Sequence, residues 1–174
     1  MNINIFFVGI ISVLGLIYAF FEPMKIAQLD HKEIPQLEFS KFSVHELNEQ
    51  GVKSIFYGDK GYRFADEKTD RYEVYDINYT DYVRENIAHI SSDFGTYKDH
   101  LVTLNGNVNY TRSDGLTFKS DKATYDQNKA VFRTPGNYTF YRNDDKIAGT
   151  KLFFDSNATH VTSQKISATY QIKN

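Results

Sequence analysis

The chain of 174 residues contains no cysteine and no tryptophan, and it has only three prolines. Without cysteine it has no disulfide bond, thiolate metal site, cysteine nucleophile or lipoprotein anchor. Its 20 basic and 22 acidic residues leave a net charge of −2, so there is no basic field to attract nucleic acid. The chain is rich in aromatic residues, with 13 tyrosines and 14 phenylalanines. Many aromatic residues and few prolines favour β-strands, and the length suits one domain.

A long uncharged stretch lies near the start of the sequence. Ile5 to Phe21 contains no charged residue, and Ile3 extends it towards the roughly 20 residues that a membrane-spanning helix needs. A cleaved signal peptide is the alternative, but no Lys or Arg precedes the stretch and no small-residue cleavage site follows it. We therefore predict a transmembrane helix over residues 3–21, a linker over 22–38 and a β domain over 39–174.

Apolar and polar residues alternate through most of the predicted domain, most clearly over Leu101–Thr162. A period of two is typical of half-buried strands, and Ser113-Asp114-Gly115 is a hairpin turn signal. Gly58-Asp59-Lys60-Gly61 predicts another turn, between two short strands. The apolar phase changes within Arg71–Thr80, which predicts a β-bulge. Nothing after residue 38 has the caps and 3.6-residue period of a helix.

The sequence also repeats itself. Gly106-Asn107 recurs about 30 residues later as Gly136-Asn137, and Tyr125–Asn128 recurs at a similar offset as Phe154–Asn157. Such spacing indicates stacked hairpin units, although any meander of strands shows echoes of this kind.

One block carries a family resemblance. It runs Leu104-Asn105-Gly106-Asn107-Val108, Asp114-Gly115, Phe118, Ser120-Asp121 and Tyr125-Asp126, and Ile87–Asp93 fits the strand before it. With the predicted anchor and linker, the whole chain resembles the LptC family, the bitopic subunit of the bacterial lipopolysaccharide export machine. These motifs are structural, and the soluble bridge protein of that machine shares them. The predicted anchor favours LptC.

The resemblance implies an all-β fold, an open twisted antiparallel β-jellyroll of two facing sheets after a single transmembrane helix. It implies a non-catalytic protein of the bacterial inner membrane whose C-terminal domain lies in the periplasm, with no cofactor. The protein would take lipopolysaccharide or lipooligosaccharide from an ABC transporter complex of LptB, LptF and LptG. It would pass the lipid to the bridge protein LptA, with the acyl chains moving between the sheets.

Strand alternation provides inward-facing candidates for a lipid groove, for which the ordinary alternative is a packed core. They are Tyr75, Ile77, Val108, Tyr110, Leu116, Phe118, Tyr138, Phe140, Leu152 and Phe154. The last predicted strand is a candidate edge for strand addition by a partner, because its alternation is regular and it carries few charges. It comprises Lys165, Ile166, Ser167, Ala168, Thr169, Tyr170, Gln171 and Ile172.

No pattern of catalysis or metal binding accompanies these features. The five histidines (His31, His45, His89, His100 and His160) have no ligand spacing, and the sequence has no phosphate loop and no serine-centred elbow. Two alternatives to lipid transfer stay open. One is a membrane-anchored structural subunit of an envelope secretion or assembly complex that binds only protein, and the other is an anchored hydrolase, for which a nucleophile motif is lacking.

Two sites fit the N-x-T acceptor of N-glycosylation with an acidic residue two positions before the asparagine. Asn78 and Asn157 each have an aspartate two positions earlier, Asp76 and Asp155. Some bacterial oligosaccharyltransferases prefer that form, although Asn-rich sequences also match it by chance.

Overall fold

The computed structural model describes residues 34–49, 51–65, 69–82 and 86–171. The predicted transmembrane helix at residues 3–21 and most of the linker lie outside this range. Within it every regular element is a strand, and no helix is present that could span a membrane.

Nine antiparallel strands form one sheet, in the same order as in the sequence. They are β1 (Leu37–Asn48), β2 (Gly51–Phe64), β3 (Arg71–Asp81), β4 (Ala88–Lys98), β5 (Leu101–Arg112), β6 (Leu116–Asp126), β7 (Val131–Arg142), β8 (Asp145–Asp155) and β9 (His160–Thr169). The all-β antiparallel prediction is confirmed. The two separate sheets that the resemblance implied are replaced by one continuous sheet.

A line of irregularities crosses the middle of all nine strands, and we call it the crease. In each of the eight strand pairs the residue pairing is interrupted there, and in the five pairs from β4–β5 to β8–β9 the register also shifts, for example between Asn105 and Val108 of β5. Left-handed backbone conformations lie on the same line, at Lys41, Asp76, Asn107, Lys151 and Lys165. Bulges bend strands and increase their twist. A row of bulges and left-handed residues therefore bends the whole sheet.

The bend brings the two halves of the sheet face to face. Phe118 of β6 is the cross-strand partner of Phe140 in β7. Its ring centroid also lies 5.4 Å from that of Phe132, another residue of β7. Phe132 and Phe140 lie near opposite ends of β7, and a straight strand would hold them roughly 25 Å apart. One phenylalanine can contact both only because β7 folds back at the crease. The facing layers are therefore two halves of every strand.

The crease explains two predictions about local structure that differ from the fold. The apolar phase does change within Arg71–Thr80, at Asp76, which has a φ of 52° and is skipped in the pairing with β4. The predicted β-bulge is wrong, because the register of β3 with β2 and with β4 is the same on both sides of Asp76 and neither strand gains an extra residue. The predicted turn at Gly58–Gly61 is wrong, because this stretch lies inside β2 where the strand crosses the crease. A Cβ at Gly58 would lie 2.7 Å from the Phe42 ring, so the glycine is needed for close packing.

The sequence repeat also follows the crease. Gly106-Asn107 and Gly136-Asn137 occupy the same level in β5 and β7, the rising strands of two successive hairpins. Each repeat unit is thus one bent hairpin.

Candidate functional site

The inner face of the folded sheet carries two cross-strand rows of side chains, one on each half. Residues directly opposite each other in an antiparallel pair point to the same face, so the pairing defines each row. We call the row in the half that contains Phe118 the second row, and the row in the other half the first row. The second row is Val44, Phe56, Tyr79, Ile90, Tyr110, Phe118, Phe140, Ile147 and Ala168. Every strand contributes one apolar or aromatic residue to it.

The first row lies in the other half and also runs from β1 to β9. It comprises Leu37, Arg63, Tyr72, Tyr97, Val102, Tyr125, Phe132, Phe154 and Val161. Its only charged member is Arg63. With neighbouring strands about 4.8 Å apart, each row spans roughly 38 Å from one sheet edge to the other.

Burial along the rows is deepest near β6 and β7 and least at the edges. Phe118 is 4% exposed, whereas Val44 in β1 and Val161 in β9 are 58% and 56% exposed. Around Phe118 the rings of Phe132, Tyr138 and Phe140 lie with centroids 5.4, 6.2 and 4.9 Å away. The apolar interior is therefore packed closed near β6 and β7 and open to solvent at both edges.

Small hydroxylated residues line the crease itself, and their bonds are internal. Ser120 Oγ donates to a backbone carbonyl, that of Asn137, at 3.0 Å and lies 2.6 Å from Thr134 Oγ1. The Tyr138 hydroxyl lies 2.7 Å from Ser163 Oγ. It also lies over Gly149, because a Cβ added to that glycine would be 2.7 Å from the Tyr138 hydroxyl oxygen. These hydroxyls satisfy backbone groups freed by the interrupted register, which is a structural role.

Charged groups stand at the rims and are paired there. Arg63 donates from Nε and Nη2 to Asp70 Oδ2 at 2.9 and 2.5 Å, which raises the pKa of the guanidinium. At the far end of the other half, Arg112 donates to both oxygens of Asp114 at 2.8 and 2.6 Å. These bonds lower the pKa of Asp114 from 3.8 to about 2. Apart from Arg63, the two rows of the inner face are uncharged, and both of these arginine–aspartate pairs lie at the rims.

Nine of the ten inward candidates lie on this inner face. They are Ile77, Val108, Tyr110, Leu116, Phe118, Tyr138, Phe140, Leu152 and Phe154. Five of the nine are buried outright. Whether any of them contacts lipid stays a prediction.

Tyr75 lies on the outer face, contrary to its predicted inward position. Its ring packs 4.8 Å from Phe94 and 6.1 Å from Tyr62, and it is 41% exposed. The left-handed residue is Asp76, and Val74, rather than Tyr75, shares the inner face with Ile77. Because side chains alternate between the faces, an error of one residue in the position of the phase change assigns a side chain to the opposite face.

The sequence interpretation missed most of the two rows, because only Tyr110, Phe118, Phe140 and Phe154 of their 18 residues were among the inward candidates. Val44 and Phe56 at the β1 side, and Tyr72, Tyr97 and Tyr125 in the first row, were not among the candidates. Alternation within each half-strand was the signal for them. It was hidden because the parity of inward residues changes at the crease.

The predicted partner edge is the outer strand of the sheet. β9 ends at Thr169; Tyr170 and Gln171 follow it, and Ile172 lies outside the described residues. In the described part of the chain no strand pairs with the free side of β9 or of β1. Lys165 has a φ of 50° and marks the crease, so the edge is regular only on either side of it.

The described histidines are dispersed. His45, His89, His100 and His160 lie on three strands and a turn, and His89 Nδ1 is 2.8 Å from Thr80 Oγ1 on the outer face. Among residues 34–171 that the structure describes, no three His, Asp or Glu side chains are grouped to hold a metal ion.

Comparison with known proteins bears on the family of the chain. No curated protein sequence matches the chain. The sequence model of one family, described as lipopolysaccharide-assembly, LptC-related, matches residues 5–171, nearly the whole chain. The match spans the bent sheet and both apolar rows, and it implies involvement in lipopolysaccharide transport. The chain therefore belongs to the LptC-related family of lipopolysaccharide-assembly proteins.

Proposed function

We propose that the folded sheet is a lipid-transfer module that carries the acyl chains of lipopolysaccharide or lipooligosaccharide between its two halves. A helix at residues 3–21 anchors it in the inner membrane, and residues 39–174 form a jellyroll-like domain in the periplasm. The ABC transporter complex of LptB, LptF and LptG delivers the glycolipid. The bridge protein LptA receives it at the edge formed by Lys165–Ile172.

The observation that supports this proposal is the continuity of the two rows. A packed core needs apolar side chains at its centre, and exposed edges are usually polar. Here the apolar rows continue to both edges, where Leu37, Val44 and Val161 are between 44% and 58% exposed. Apolar surface that extends from edge to edge suits a chain that enters at one side and leaves at the other. The charged rims would remain outside with the sugars.

A second candidate is the structural subunit that binds only protein. The contact between Phe118 and Phe132 favours it, because this contact closes the interior as an ordinary core would. For lipid to pass, these rings must separate or the acyl chains must run beside them. The two candidates therefore differ in whether the inner face is ever filled by lipid.

Photo-crosslinking during export separates the two candidates. A photoreactive residue placed at Tyr110 or Tyr125 should form an adduct with lipopolysaccharide in an ATP-dependent manner. The matched controls are their chain neighbours Asn109 and Thr124, which alternation places on the outer face. Adducts of equal yield at inner and outer positions would refute the groove. Protein adducts alone, with no lipid adduct at Tyr110 or Tyr125, would favour the structural subunit.

A further inference from the structure

We propose that Asn157 is the acceptor of an N-linked glycan and that Asn78, which has the same motif, is not. The sequence contains four N-x-T sites, at Asn78, Asn109, Asn137 and Asn157. Only Asn78 and Asn157 have an aspartate two positions earlier. The inference rests on the proposed periplasmic position of the domain, because bacterial oligosaccharyltransferases act on that side of the membrane.

The fold distinguishes the two aspartate-containing sites. Asn78 lies inside β3, with Tyr57 of β2 opposite it on one side and Ser91 of β4 on the other. Its backbone cannot enter a transferase cleft unless the middle of the sheet is dismantled. Asn157 lies in the exposed connection between β8, which ends at Asp155, and β9, which begins at His160. Loops at the end of a sheet are accessible and adapt to an enzyme at little cost.

The turn around Asn157 tolerates the modification. Asn157 Nδ2 donates one hydrogen to the backbone carbonyl of Lys129 at 3.0 Å. A primary amide carries two hydrogens, so a glycosylated nitrogen retains one N–H that can keep this bond. Asp155 Oδ1 accepts from the backbone N–H groups of Asn157 at 2.9 Å and Ala158 at 3.1 Å. These bonds are exposed, and water can replace them while the acceptor is bound to the transferase.

The transfer needs a glycan donor of one chemical class, an oligosaccharide linked to a polyprenyl diphosphate. A bond forms between Asn157 Nδ2 and the anomeric carbon of the donor. The bond from that carbon to the diphosphate oxygen breaks, and the diphosphate leaves with the electron pair. One amide proton passes to a base of the transferase. No oxidation or reduction is involved.

The test expresses the full chain in bacterial cells that carry an oligosaccharyltransferase and its lipid-linked glycan, and reads the intact mass. We expect a mass increase of one glycan. It should be lost in Asn157→Gln and retained in Asn78→Gln. In Asp155→Asn the glycosylated fraction should fall while the turn persists, because the asparagine oxygen can still accept the same backbone hydrogen bonds.

An unmodified protein, or a glycan that survives Asn157→Gln, would overturn the inference. Crosslinking at Tyr110 in the same cells keeps the two proposals separate. A lipid adduct without a glycan would overturn only the acceptor assignment, and a glycan without a lipid adduct would overturn only lipid transfer. Protease added to spheroplasts reports the side of the membrane, and a domain that it cannot reach would overturn both.

Discussion

Phe118 and Phe132 come from opposite halves of the sheet, and their rings meet edge-on at an interplanar angle of 79°. Within one half, Phe118 also packs against Phe140, its cross-strand partner. The first contact exists only when the sheet is bent, whereas the second would exist in a flat sheet as well. The pair therefore reports directly on whether the two halves are closed together.

A double-mutant cycle measures this closure. Phe118→Ala should lower the free energy of unfolding by about 3–5 kcal/mol because it removes a buried ring. Its coupling with Phe132→Ala should be about 0.5–1.5 kcal/mol, the usual range for an aromatic pair. Val44→Ala is the control, since Val44 lies five strands away and its effect should add to that of Phe118→Ala. Additivity between Phe118 and Phe132 would mean that the halves are not in contact in solution.

Two glycines near the crease give a second test. At Gly149 a Cβ would lie 2.7 Å from the Tyr138 hydroxyl and 3.0 Å from Ser163 Oγ, whose mutual hydrogen bond holds both groups in place. At Gly136 an added Cβ would have no neighbour within 4 Å. Gly149→Ala should therefore cost about 1–3 kcal/mol of overpacking. Gly136→Ala should change the free energy of unfolding by less than about 0.5 kcal/mol.

Urea unfolding of the two variants gives this comparison. An equal effect of both substitutions would show that Tyr138 is not held over Gly149. In that case the tight packing at this part of the crease would be absent.

The alternation of apolar and polar residues predicts most of the strands. The features that it does not predict depend on the crease. Strands such as β5 and β6 follow directly from the period-two pattern. Gly58–Gly61 has the composition of a turn, and only the tertiary packing of Phe42 above it decides that the strand continues. The face on which Tyr75 lies depended on one left-handed residue, Asp76. The contact of Phe118 with Phe132 is long-range, and no local pattern encodes it.

The hairpin turn between β5 and β6 should respond to acid. Asp114 accepts hydrogen bonds from Arg112, which lower its pKa from 3.8 to about 2. A carboxylate with a lowered folded-state pKa contributes stability above its unfolded pKa and loses it as the pH falls through the folded value. The contribution of Asp114 should therefore be present above about pH 4 and vanish towards pH 2.

Urea midpoints measured between pH 6 and pH 2 test this window. Asp114→Asn should be less stable than the unmodified chain at pH 6, and the difference should shrink steadily below pH 4. In an Arg112→Gln background the same substitution should lose most of its pH dependence, since the main partner is gone. A difference that is constant across the range would place the acid-sensitive group elsewhere.

The free side of β9 gives the last prediction, the addition of a partner strand. In an antiparallel strand the N–H groups point alternately to one neighbour and to the other. Of Ser167 and Ala168, which pair with Ala148 and Ile147 in β8, one therefore directs its N–H into the sheet and the other away from it. Proline removes the N–H and is tolerated only where that group is free.

Ser167→Pro and Ala168→Pro should accordingly behave differently. One should lower the melting temperature, because it breaks a bond to β8. The other should keep the fold and abolish binding to the soluble bridge protein in a calorimetric titration. Ser43→Pro and Val44→Pro in β1 are the control. The one of these two whose N–H points away from the sheet should keep the fold and leave the affinity for the bridge protein unchanged. If the folded β9 variant binds with its original Kd, the bridge protein does not add a strand at β9.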